Sequence, residues 1–215
     1  MSAKIYITGS TIIHKNQVIK NGSLLFSKKD VNSPDFYLAT YQFLGEKYPK
    51  FYKMDSLSKL GWLATEVLLK DNETISKFKP EEVGVFLCNA NSSLEADLKY
   101  IDSTKTIASP SLFVYTLPNI VIGEICIRHQ FKGENGFFIF ENFNAEFIVN
   151  YVTSLFNHHI LNACICGWIE AMGEDYKAVF FWIEKSDQAV HLSQHVSLLF
   201  TTENLNNIYI NKWIN

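Results

Sequence analysis

The stretch Val83-Gly84-Val85-Phe86-Leu87-Cys88 is an unbroken apolar run of strand length, and it narrows the choice of fold more than any other segment. A strand with one face in water alternates apolar and polar residues. A run without alternation belongs to a strand covered on both faces, the usual situation in an α/β sheet. Phe137-Phe138-Ile139-Phe140 has the same character and predicts a second buried strand, and residues 160–169 predict a third with apolar side chains on both faces. Residues 177–184 predict a fourth beside it. Between these runs the period changes to 3.6. Leu57, Leu60, Ala64, Val67 and Leu68 share one helical face, with Asp55 placed to cap the amino end. Phe147, Ile148, Tyr151, Val152, Leu155 and Phe156 share another, behind Asn142 or Asn144 as cap. A helix carrying Val121, Ile122, Ile125 and Cys126 is predicted to begin at Pro118, whose fixed φ suits a first turn. A further helix over residues 92–100 crosses the end of the first run. Strands alternating with helices predict an α/β domain.

The remaining segments are shorter. Residues 4–8 predict a strand, with a turn at Gly9 and Ser10. A strand pair is predicted around His14-Lys15-Asn16, with Asn21-Gly22 as the next turn. Residues 27–34 are polar and predict a surface loop, Gly133 and Gly136 are expected to bracket a turn, and the last stretch, 189–215, holds one strand candidate over 196–200 and an amphipathic tail. With no repeat, low-complexity tract or Pro-rich linker, the whole of 1–215 is expected to be a single domain.

A chain of 215 residues with 47% hydrophobic residues has the means to bury a full core. Its formal charge of −3 gives no basic face for nucleic acid or anionic membrane, so neither is an expected partner. No apolar run approaches the roughly 20 residues needed to span a bilayer, and no signal-type amino terminus opens the chain; a cytoplasmic protein is expected. Cys88, Cys126, Cys164 and Cys166 lie inside apolar runs, where free cysteine behaves as a small buried hydrophobe. The C-x-C pair lacks a second ligand pair at zinc spacing. His191 and His195 are four apart but lack the H-E-x-x-H arrangement. No metal or cofactor is expected.

The segment from Gly133-Glu134-Asn135 to Gly167-Trp168-Ile169-Glu170 resembles the nucleophile region of the β-ketoacyl synthases, whose pattern runs G-P-N, short strand, nucleophilic Cys at a strand-to-helix elbow, helix, and an apolar strand ending in G-G-x-E. Phe51-Tyr52-Lys53-Met54-Asp55 resembles the family's R-x-M-D entry to an early helix. Ser109-Pro110 and Leu117-Pro118-Asn119 resemble the approach to the helix before the nucleophile strand, and residues 4–9 resemble the opening V-x-I-T-G strand. The resemblance covers the amino-terminal half of such a synthase. It implies a thiolase-like α/β half: a mixed, mainly parallel five-stranded sheet with helices on both faces.

Ungapped counting places Asn142 on the cysteine position, flanked by Glu141, Phe143 and Asn144. An amide is a poor nucleophile and holds no thioester. The family's two catalytic histidines belong to a second half, which would begin where this chain ends, and His14, His129, His158, His159, His191 and His195 fall elsewhere. The resemblance therefore implies a pseudoenzyme from an acyltransferase family, a subunit of chain-length-factor or accessory type in fatty-acid, polyketide or aryl-polyene biosynthesis, without condensing activity alone. Two other readings stay open: an acyl-thioester hydrolase or decarboxylase using the polar cluster Glu141, Asn142 and Asn144, or a scaffold without acyl contact. Plain helix capping is the structural role that cluster would otherwise have. Because the family dimerises through the strand before the nucleophile, Phe137, Phe138, Ile139 and Phe140 are expected at an interface, in a homodimer or a heterodimer with a full-length ketosynthase, with an acyl carrier protein as a further partner. A lone half is also expected to leave an apolar layer uncovered on the helix after the elbow.

Overall fold

Two tight hairpins open the chain, and both follow from their turn residues. In the computed structural model, which describes residues 4–186, 191–192 and 195–210, β1 (Lys4–His14) folds back on β2 (Gln17–Lys20), and β2 on β3 (Ser23–Ser27). Lys15 and Asn16 have φ of 48° and 57°, Asn21 and Gly22 of 48° and 82°. Positive φ at both central residues gives the loop the twist of the strands it joins. β1 does not turn at Gly9 and Ser10. It runs on, and the register to its neighbour shifts between Ile7 and Gly9, a bulge that absorbs the irregularity without ending the strand.

Residues 27–34 are not all loop, because α1 (Ser33–Leu44) begins among them. Asn32 caps it by accepting the Asp35 N–H at 2.9 Å, Pro34 sits in the first turn, and Gly45 closes it at φ 71°. Asp55 caps α2 (Ser56–Leu69) through the Ser58 N–H at 2.9 Å, as its sequence predicts. β4 (Val83–Asn89) is buried at every position. α3 (Leu94–Ser103) and the short α4 (Pro110–Val114) follow. α5 (Ile120–His129) starts two residues later than expected: Pro118 and Asn119 form a turn, closed by Ile120 N–H to Leu117 O at 3.1 Å, that feeds the helix.

Then come β5 (Asn135–Ile139), α6 (Ala145–Asn157), β6 (Ala163–Met172) and β7 (Asp175–Ser186). Two-residue strands β8 (His191–Leu192) and β9 (His195–Val196) pair with each other, β10 (Leu198–Leu199) pairs with β1, and α7 (Thr202–Tyr209) is the last described helix. The end of the tail, 211–215, and residues 1–3 lie outside the described residues.

The sheet order is β3-β2-β1-β7-β6-β4-β5, with β10 beside the start of β1. Pairing is antiparallel at β1/β7 and β7/β6, and parallel at β6/β4 and β4/β5. Four of the five strands β1-β7-β6-β4-β5 therefore share a direction, with β7 against them. This is the expected mixed, mainly parallel five-stranded sheet, which β2, β3 and β10 widen. Successive side chains go to opposite faces. Val85 and Leu87 enter a core under α1, α2 and α5, built around Trp62 and Trp182. Phe86 and Cys88 enter a second core under α6 and α7, with Cys164, Cys166, Val152 and Phe156. Helices cover both faces. Gly136 lies within β5 rather than bracketing a turn, and β5 is not a buried strand: it forms the sheet edge, with Phe137, Phe138 and Phe140 half-buried and Ile139 exposed. Nothing pairs with its outer side among the described residues, which is why apolar residues there stay partly in water.

Candidate functional site

The elbow is where β5 leaves the sheet and α6 begins. Phe140 N–H donates to Asn89 O at 2.9 Å, which extends the β4–β5 ladder by one residue. The chain then crosses Glu141, Asn142 and Phe143, and Asn144 caps α6 by accepting the Phe147 N–H at 2.9 Å. Capping thus falls to Asn144 and not to Asn142, which stands two residues before the cap. Glu141, Asn142 and Asn144 are exposed and do not converge on a buried point. Asn142 lines a shallow, open cleft of about 430 Å³ between the elbow and the start of α7, where Thr202 and Asn206 form the other wall.

Phe143, half-buried, borders the same cleft and anchors the elbow. Its ring stacks on Tyr209 of α7, centroids 4.3 Å apart at 15°, and meets Trp168 edge-on at 6.5 Å. The Lys177 ammonium lies 3.6 Å from the Tyr209 ring centroid and donates to Tyr209 O at 3.1 Å, so one cation holds both the ring and the end of α7. Burial lowers the pKa of Lys177 and raises that of the Tyr209 hydroxyl. Sequence reasoning placed Phe143 beside the nucleophile position but missed this clamp, because Lys177 and Tyr209 are remote in the chain. Glu170, the end of the Gly167-Trp168-Ile169-Glu170 motif, accepts the backbone N–H groups of Ala90 at 2.9 Å and Asn91 at 3.3 Å. It fixes the turn from β4 into α3.

None of the other candidate groups supplies the missing chemistry at the elbow. Burial pushes the Cys88 thiol far up, Cys166 likewise with a further push from Cys164, and Cys126 to about 11. These are thiols held protonated by burial, Cys88 and Cys166 in strands under the helices and Cys126 on α5 itself, not nucleophiles. His14 Nδ1 lies 2.8 Å from Tyr176 O on the β1–β7 ladder, and His129 lies 3.2 Å from a Glu66 carboxylate oxygen. His158 sits at the opposite end of α6 from the elbow, its Nδ1 2.8 Å from Ser154 O, and His159 is exposed in the following turn. His191 and His195 are on paired strands rather than one helix face, and their side chains lie outside the described residues. Among the described residues no group of three or more His, Cys, Asp or Glu side chains is arranged to hold a metal ion, and no helix is long and apolar enough to cross a membrane.

The outer stripe of α6 corrects a further expectation. Glu146, Asn150, Ser154 and Asn157 are its exposed positions, so this helix offers water a polar face and not an apolar layer.

No family model and no curated protein matches the sequence. Solved structures do. The ishigamide ketosynthase/chain length factor matches with a TM-score of 0.64 at 18% identity, over 86% of this chain and 63% of that one. A type II polyketide synthase acyl-carrier protein in complex with its ketosynthase bound to the hexaketide matches with a TM-score of 0.58 at 15% identity, over 85% and 62%. A ketosynthase in complex with its chain length factor from Xenorhabdus doucetiae matches with a TM-score of 0.55 at 12% identity, over 100% of this chain and 93% of that chain. The present chain thus spans less than two thirds of the first two matched chains and nearly all of the third. At these identities the common property is architecture, and the chain takes the thiolase-like fold of the ketosynthases and chain length factors.

Proposed function

We propose that this chain is a non-catalytic subunit of chain-length-factor type that works beside a ketosynthase in polyketide or related acyl-chain assembly. The observation that carries the reading is the elbow: an exposed amide, Asn142, stands on an open cleft where the resemblance puts a nucleophilic cysteine. A thiolate needs an electropositive, partly enclosed setting and an acid–base partner. Here the ionisable neighbours are Glu141 and Glu146, both exposed, and no histidine of the described residues reaches the elbow. The solved complexes supply the context, since one of them is a ketosynthase in complex with its chain length factor. The edge position of β5 fits the strand that would pair with such a partner, because its outer N–H and C=O groups are open to a further strand.

The test is activity alone and in company. The purified chain, given malonyl and acyl thioesters of a carrier protein, is expected to turn over neither. Co-expressed with a cysteine-bearing ketosynthase from the same genome, it is expected to co-purify at 1:1 and to change the length distribution of the products. Turnover by the chain alone that falls on Asn142→Ala would overturn the non-catalytic reading in favour of a hydrolase or decarboxylase. Failure both to turn over thioester and to bind a ketosynthase would leave a scaffold.

A further inference from the structure

At the sheet edge opposite β5, the outermost strand β3 holds apolar side chains in water. Its pairing with β2 slips between Val18 and Ile19: Phe26 faces Val18, Leu24 faces Ile19, and Leu25 is the extra residue of a bulge. Leu24 therefore goes to one face of the sheet and Phe26 to the other. Leu24 and Leu25 are 58% and 37% exposed. On the Phe26 side the patch continues onto α1, where Phe43, 42% exposed, stacks on Phe26 with centroids 4.8 Å apart.

Lysines stand at both ends of this patch. Lys28 N–H donates to Asn16 O at 3.1 Å, which sets Lys28 and Lys29 beside Lys15 of the first hairpin turn. Toward the other end the Lys70 ammonium lies 6.0 Å from the Phe43 ring centroid, and the Lys20 ammonium donates to Lys70 O. None of these lysines is in a salt bridge among the described residues. The carboxylates nearby are fewer. Asp71 acts on Lys20, Asp30 follows Lys29, and Glu174 is taken up by the Ser33 N–H at 2.9 Å. The formal charge of −3 is thus an average that hides a basic edge.

These features decide what fits there. A bulge and flanking lysines keep a further strand from adding to an edge. A second copy would bring lysines against lysines, since both ends of the patch are basic. Neither device calls for leucines in water. Apolar side chains on both faces of a thin edge, flanked by ammonium groups, suit a flat layer with an apolar interior and an anionic surface.

We infer that the β2–β3 edge docks on an anionic lipid surface, with Leu24, Leu25 and Phe43 reaching below the headgroups and Lys15, Lys28, Lys29 and Lys70 on lipid phosphates. The site lies at the far edge of the sheet from β5 and does not depend on the pairing proposed above.

The test is flotation of the purified full chain with vesicles of phosphatidylcholine alone and of phosphatidylcholine with about 30% phosphatidylglycerol. Binding to the anionic vesicles is expected, at least about tenfold weaker to the neutral ones, and falling by a similar factor between about 0.1 M and about 0.5 M salt. Lys28→Glu with Lys29→Glu should weaken it at least about tenfold by reversing two charges at the surface. Leu24→Ser with Leu25→Ser should weaken it about tenfold by removing the inserted side chains. Lys99→Glu with Lys105→Glu on α3 makes the same change of net charge and should alter binding less than about threefold. All six positions are exposed, and circular dichroism checks that the variants fold. Absence of binding to the anionic vesicles would overturn the inference. So would equal binding to both kinds of vesicle, an unchanged affinity in the leucine variant, or equal weakening by the α3 variant. A wild-type dimer in sedimentation without lipid, dissociated by the leucine variant, would assign the patch to a second copy instead.

Discussion

Placing a cysteine where the resemblance puts one measures how much of a catalytic environment the elbow retains. In Asn142→Cys the thiol would be exposed and two residues ahead of the capping Asn144 of α6. A helix amino terminus favours a surface anion by about 0.3–1 kcal/mol and the effect fades within a turn. At about 1.4 kcal/mol per pKa unit this lowers the thiol by roughly 0.2–0.7 unit. The chain neighbour Glu141 and the first-turn Glu146 act the other way. A carboxylate about 6 Å away in water opposes a thiolate by about 0.7 kcal/mol, which alone cancels most of the dipole. The thiol should therefore titrate near its ordinary value of about 8.5, whereas activated cysteines lie at about 3.5–7.5. The assay is the pH dependence of iodoacetamide labelling, followed by intact mass. The native cysteines are a quiet background, with Cys88, Cys164 and Cys166 buried and the half-buried Cys126 raised to about 11. A labelling inflection near pH 8–8.5 is expected. An inflection below about pH 7 would refute the reasoning, since it would mean that the elbow still stabilises a thiolate.

Gly167→Ala should cost at least about 3 kcal/mol in chemical denaturation, because its Cβ would fall 2.1 Å from Val179 O, a backbone atom of β7 that no rotamer change can move. Asn144→Ala should lose about 1 kcal/mol by removing the cap of α6, while Asn142→Ala stays within about 0.5 kcal/mol; equal losses would mean that Asn142 carries a structural bond after all. Arg128→Leu should destabilise by about 2–3 kcal/mol, since Arg128 donates to the buried Glu66 at 2.8 Å and to Glu46 at 2.7 Å. Burial pushes the Glu66 carboxyl up, but His129 and Arg128 outweigh it and hold it below the usual glutamate value. A lowered folded-state pKa stabilises above the unfolded value and is lost as pH falls through the folded one. The wild type should therefore lose this contribution below about pH 4.3, and Arg128→Leu, which lacks much of it, should show a shallower acid loss in urea midpoints across pH.

What the sequence discloses here depends on how local the cause is. The hairpin turns at Lys15-Asn16 and Asn21-Gly22 are written in a few residues each, and so are the caps Asp55 and Asn144. α1 is harder to see. Its cap residues Asn32 and Pro34 sit in a polar stretch, and its buried positions include Phe36, Tyr37, Thr40 and Tyr41, aromatic and β-branched types with weak helix preference. The edge position of β5 is not legible, because four apolar residues in a row look the same in a central strand and at an edge; only the sheet order distinguishes them. The strand-to-helix turn between β5 and α6 is legible as an apolar run followed by a capping Asn. Its surroundings are not, since Thr202, Asn206 and Tyr209 arrive from about 60 residues away along the chain.

That distant cover changes where a partner should be sought. In the two-halved arrangement that the resemblance implies, the missing half packs its helices against the helix after the elbow, which then needs apolar residues on both sides. α6 has them on one side only. Ala145, Ile148, Val152 and Phe156 are buried toward the sheet, and Leu205 and Ile208 of α7 enter the same core. Outward it presents Glu146, Asn150, Ser154 and Asn157. A second half laid on that stripe would bury polar groups without partners, at about 1–3 kcal/mol for each one left unsatisfied. Exposed apolar residues lie instead along α3, α4 and the edge strand β5, with others on β3, α1 and α5. The proposed partner would therefore sit laterally, beside the open edge of β5, and not on the outer face of α6.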